Sequence, residues 1–209
     1  MKKFILILIA FIAISISASS QELRSVKAFD NVSLGLHAGV QTTAHKPFQI
    51  HYPVVGFSLN KDFSPKFGLS LDYSLGAVKY DDMIEQLPDW AVDNIKSFGT
   101  IIMESRFNLT NILDGYRGEP RTLEVESVLG VGCGYTTDQS GDVKGLGLIK
   151  AGMNFNITNV GKASLTTFSI KPSVLWDSSS CKIGTLNIEL GVTFRFRTSN
   201  GTFYNFVRK

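Results

Sequence analysis

Residues 67–77, FGLSLDYSLGA, alternate without a break: Phe67, Leu69, Leu71, Tyr73, Leu75 and Ala77 fall on one side, Gly68, Ser70, Asp72, Ser74 and Gly76 on the other. A period of two sends successive side chains to opposite faces of a strand and is of no use to a helix. The segment reads as a β-strand with one apolar face and one face of small, polar or charged residues.

The pattern recurs outward from this segment in both directions. Upstream, Val32, Leu34, Leu36, Ala38 and Val40 alternate with Ser33, Gly35, His37 and Gly39, and Val55, Phe57 and Leu59 alternate with Val54, Gly56, Ser58 and Asn60. Downstream, Ile101 to Leu109, Leu123 to Gly134, Ile149 to Ile157, Ser164 to Trp176 and Leu186 to Phe196 repeat it, with Pro172 a blemish in the seventh segment because proline cannot donate to a strand ladder. The total is eight, an even number, and segments of about ten residues tilted near 45° match the thickness of a hydrocarbon layer. The expected connections alternate in length. Short turns fall at NKDFSP (60–65) and TNVG (158–161), longer loops at 41–51, 78–97 and 136–144, and TNILDGYRGEP (110–120) is long for its place. The loop 78–97 has the amphipathic spacing of a short capping helix in Met83, Leu87, Trp90 and Ile95, interrupted by Pro88.

Composition narrows the class. With 209 residues, 44% hydrophobic and 19% charged, one domain is the default. A net charge of +3 from scattered Lys and Arg lacks the electrostatic footprint of a nucleic-acid binder. Lys2 and Lys3, the apolar run Phe4 to Ile16 and the small residues 17–20 have the form of an export signal, with Ala18 and Ser20 placed for cleavage before Gln21. The run is too short for a spanning helix. The expected division is thus a signal peptide over 1–20 and a barrel domain over 21–209. Cys133 and Cys181 read as two isolated small apolar residues rather than a disulfide.

Alternation alone does not say which face looks inward. The polar face carries Asp72, Glu104, Arg106, Glu124, Glu126, Lys150, Lys171, Glu189 and Arg195, together with the glycines at 35, 39, 56, 68, 76, 130, 132, 134, 152 and 191. On a solvated outer face those glycines would only weaken the strands, whereas on a concave, crowded face they make room. Five acids and four bases could pair there, and buried charges need partners. This favours an all-β, eight-stranded antiparallel up-and-down transmembrane β-barrel with the apolar face toward lipid. The alternative is a secreted soluble barrel that keeps the apolar face inside around a ligand, as a lipocalin does. Aromatic residues near strand ends, among them Tyr52, Phe63, Phe67, Tyr80, Trp90, Tyr135, Trp176, Phe196 and Phe203, fit interfacial girdles and equally fit ordinary turn and core positions.

Three stretches carry a family resemblance: FSPKFGLSLDYSLG at 63–76, FNLTNILDGYRGEPRTLEVESVLGVGCGY at 107–135 and the closing strand NIELGVTFRF at 187–196. With them the chain resembles the barrel of outer membrane protein A-type proteins. The resemblance implies an outer-membrane barrel of a gram-negative bacterium, without catalytic residues. Only thirteen residues follow Phe196, so it does not extend to the peptidoglycan-binding domain that many members carry.

Candidate chemistry is sparse. His37 lies on the polar face while His45 and His51 fall in the first long loop, with no Cys or carboxylate cluster at zinc-like spacing. No nucleophile motif supports a lipid-modifying enzyme. No catalytic, metal or cofactor site is expected. An eight-stranded barrel has an interior that side chains fill, so the polar set reads as structural pairing before a narrow ion path. The expected partners are outer-membrane lipid, the barrel-assembly machinery during insertion and an extracellular ligand through the long loops, with no nucleic acid.

Overall fold

A computed structural model describes residues 23–25, 27, 29–43, 51–77, 97–117, 121–137, 142–160, 165–178, 183–196 and 206–208. Ten strands are present among them: β1 Leu23–Ser25, β2 Val32–Thr43, β3 His51–Ser64, β4 Phe67–Ala77, β5 Ser97–Asn108, β6 Leu123–Thr137, β7 Val143–Val160, β8 Leu165–Asp177, β9 Ile183–Arg195 and β10 Phe206–Arg208. Strands β2 to β9 pair each with the next, antiparallel, and β9 returns to β2, closing an up-and-down barrel. Closure leaves no strand edge to seek a partner.

The register fixes the barrel's dimensions. Starting at Ser33, the pairing passes through Asn60, Ser70, Glu104, Gly130, Lys150, Leu175 and Thr185 and re-enters β2 at Thr43, ten residues higher. With about 3.3 Å per residue and about 4.8 Å between strands, this stagger over eight strands gives a tilt of about 41° and a backbone radius of about 8 Å. Such a hollow holds side chains and little else.

The faces sort as the alternation dictates. Ser33, His37, Ser58, Asn60, Asp72, Glu104, Lys150 and Glu189 are buried in the hollow, while Leu36, Phe57, Leu71, Ile101, Phe155, Phe168 and Leu190 are exposed on the outside, Leu190 by 63%. The glycines make room as their placement suggested. At Gly56 a Cβ would run into the His37 ring and the Tyr73 carbonyl, and at Gly76 into the Phe98 ring.

Several strand ends differ from expectation. NKDFSP is not a turn: β3 continues through Ser64, and the reversal is made by Pro65 and Lys66, with Ser64 Oγ accepting from the backbone N–H groups of Lys66 (3.3 Å) and Phe67 (3.0 Å). Likewise β7 runs on to Val160, through most of TNVG. Polar residues at the rims of a barrel still follow the alternation, so polarity there does not signal a turn. Pro172 does not break β8, although the β7–β8 ladder is interrupted between the pairs Gly152–Ser173 and Phe155–Ile170.

The connection after β5 contains a one-turn helix, α1, Leu109–Leu113. Asn108 caps it by accepting from the Asn111 N–H at 2.9 Å, and Asn111 Nδ2 donates to the Pro65 carbonyl at 2.9 Å, tying the helix to the β3–β4 turn. At this same end β1 pairs with β10, and Tyr116 meets the Phe206 ring edge-on at 5.9 Å. Neither the helix nor the pairing of the termini was expected from the sequence. Residues 1–20, the loop 78–96, His45 and Cys181 lie outside the described residues, and Cys133 is a free thiol on the outer face.

Candidate functional site: the barrel interior

The hollow is layered along its axis. Toward the long connections it is apolar: Ile102, Leu148 and Leu175 form a buried cluster with Leu146 packed against it, and Val54 and Phe98 are buried toward the same end. These side chains sit on the polar-face parity, where the sequence reading placed Val54 without expecting an apolar layer. Near its end the interior changes to hydrocarbon because β5, β7 and β8 each place a large aliphatic at an inward position.

The middle layer is ionic. Lys150 Nζ lies 2.7 Å from Glu104 Oε1, the two flanking Gly130 on one rung of β5, β6 and β7. His37 Nε2 is 3.0 Å from Ser74 Oγ, 3.7 Å from Asp72 and 3.9 Å from Glu189, and Ser74 Oγ donates to Asp72 at 3.0 Å. Lys171 stands opposite Glu189 in the β8–β9 register. Such a layer tolerates burial only because opposite charges share it.

The third layer lies at the short-turn end. Asp62 accepts from both Arg106 and Arg195, the latter at 2.7 Å, and Arg106 Nη1 approaches Glu126 at 3.5 Å. Glu124 accepts from Asn108 Nδ2 at 3.0 Å and from the Arg121 N–H at 3.3 Å, and Glu126 from Asn154 Nδ2 at 3.3 Å. All nine charged residues singled out in the sequence therefore face the hollow, divided between two layers. Two participants were missed. Asp62 was assigned to a turn, although continuing the β3 alternation two residues further would have turned it inward. His37 was placed on the right face but not joined to the carboxylates, because its partners are on β4 and β9, far away in sequence.

Two small polar cavities, of about 30 and about 40 Å³, lie in this ionic half, both walled by Arg106, Glu124, Glu126 and Arg195, the smaller also by Asp62, Tyr116 and Phe206. Each has room for on the order of one or two water molecules. Among the described residues no three His, Cys, Asp or Glu side chains are grouped to hold a metal ion.

No family model matches this chain, and no curated protein does. Solved structures do. Neisserial surface protein A superposes with a TM-score of 0.51 at 8% identity, over 80% of this chain and 98% of that one. The N-terminal barrel of Pseudomonas aeruginosa OprF gives 0.46 at 10% identity over 79% and 97%, and Ail of Yersinia pestis 0.44 at 12% identity over 79% and 96%. The chain thus has the fold of the small eight-stranded outer-membrane barrels of the OmpA-like type.

Proposed function

We propose that this chain is a small integral protein of the gram-negative outer membrane, exported by the signal over 1–20, with a packed and non-catalytic lumen and a structural or surface-interaction role carried by its long connections. One observation carries the reading. Among the described side chains that point outward from β2 to β9 there is no Asp, Glu or Arg, and the single Lys, Lys61, stands at the short-turn rim. The apolar face between the rims covers about ten residues per strand, which at the tilt above makes a band about 25 Å tall, the height of the lipid-facing band of outer-membrane barrels. Leaving such a continuous surface in water would be strongly unfavourable. The soluble lipocalin-like alternative needs these same side chains inside, where the small, polar and ionic residues are instead. The lipid contact, the help of the assembly machinery during insertion and an external ligand at the long connections belong to this proposal.

Cell fractionation tests it. The protein is expected in the detergent-extracted outer membrane as a band whose electrophoretic mobility changes on boiling, because a closed barrel resists detergent until heated. Recovery from a soluble periplasmic or culture fraction without detergent would overturn the reading.

A further inference from the structure

The short-turn end of the barrel is basic. Its described residues 23–25, 27, 29–31, 65–66, 109–117, 121–122 and 206–208, together with the outward Lys61 of β3, contain seven basic and two acidic residues. Inside the wall the charges largely pair with one another, so this excess is a property of the rim.

The described side chains show how the basic rim meets the apolar band. Lys61 is outward on β3, its Nζ 6.0 Å from the centre of the Phe63 ring and donating to the Asp30 carbonyl and to the Lys27 carbonyl, the latter at 3.1 Å. A lysine with its stem on hydrocarbon and its ammonium at the edge is a side chain that snorkels to a polar boundary. Lys27 and Arg117 are exposed at this end, and Phe29 and Leu113, exposed by 87% and 82%, offer apolar side chains among the cations. Exposed hydrocarbon interleaved with cations is the surface that settles into an anionic lipid interface.

From this charge complementarity we infer that the short-turn rim is a docking surface for the anionic headgroups of phospholipids in its own leaflet, phosphatidylglycerol being the fitting chemistry. The inference rests on the membrane reading above. The rim selects lipid by charge.

The test uses the full-length protein in vesicles of phosphatidylcholine doped with spin-labelled phosphatidylglycerol or spin-labelled phosphatidylcholine, reading the motionally restricted lipid at the protein surface. Phosphatidylglycerol is expected to be favoured roughly fivefold, with the preference falling at high salt as the rim is screened. The variant Lys61→Gln/Lys66→Gln/Arg117→Gln is expected to lose most of that preference while keeping the same total of restricted lipid. Equal restriction of both lipids, or a preference that the triple variant leaves untouched, overturns the docking surface while leaving the membrane reading intact. Absence of any restricted lipid would instead remove the membrane reading itself.

Discussion

Asp62 holds two guanidinium groups, Arg106 and Arg195, in a part of the hollow where their side chains are only 11% exposed. Arg106 has a second carboxylate in Glu126, whereas Asp62 is the acid common to both arginines. Breaking a buried pair from one side leaves an uncompensated charge, at a cost of about 3 kcal/mol. Asp62→Asn is therefore expected to lower the urea midpoint of the micelle-refolded barrel markedly, and Glu126→Gln much less. Equal midpoints for the two variants would show that Asp62 is not the hub. Parity along a strand made the inward direction of Asp72, Glu104, Lys150 and Glu189 legible from the sequence. The meeting of His37 with Asp72 and Glu189 was not legible, because it depends on which strands close the barrel and in which register.

Among the elements, β8 shows what local chemistry does within an imposed ladder. Pro172 has no N–H, and the β7–β8 pairing lapses at the level of Met153 and Asn154 while the β8–β9 pairing continues past it through Pro172–Ile188. The absent N–H leaves a strand carbonyl without its donor, so Pro172→Ala, which supplies one, is expected to raise the urea midpoint of the micelle-refolded barrel by the equivalent of about 1 kcal/mol. An unchanged midpoint would mean that the gap has no energetic consequence. Strand interiors such as 67–77 were readable because their alternation is uninterrupted. Strand ends at Ser64 and Val160 were not, since rim residues meet water and lose the apolar half of the signal. The α1 turn rests on a side-chain cap at Asn108 and a tie to Pro65, neither of which leaves a periodic trace in the sequence.

At the scale of the whole molecule, the ionic part of the hollow ends against hydrocarbon. Ile102, Leu148 and Leu175 stand between the polar cavities and the long-connection end, and an ion would have to shed its water to pass them. The protein in a planar bilayer is accordingly expected to give no discrete current steps, and Ile102→Ser/Leu148→Ser/Leu175→Ser is expected to produce them. Steps from the unaltered protein would sink the idea of an apolar seal.

The hydrogen-bond row that leaves Ser33 and comes back at Thr43 makes the wall a single screw thread. One residue added inside a strand would turn everything beyond it inside out, driving ions into the acyl chains and grease into the bore, unless a bulge takes it up. The wall holds such bulges only near its ends, at Asp62/Ser64 and at Leu175/Trp176. Between them length is quantised in pairs, since two added residues keep each side chain on its own side and merely change the pitch of the thread.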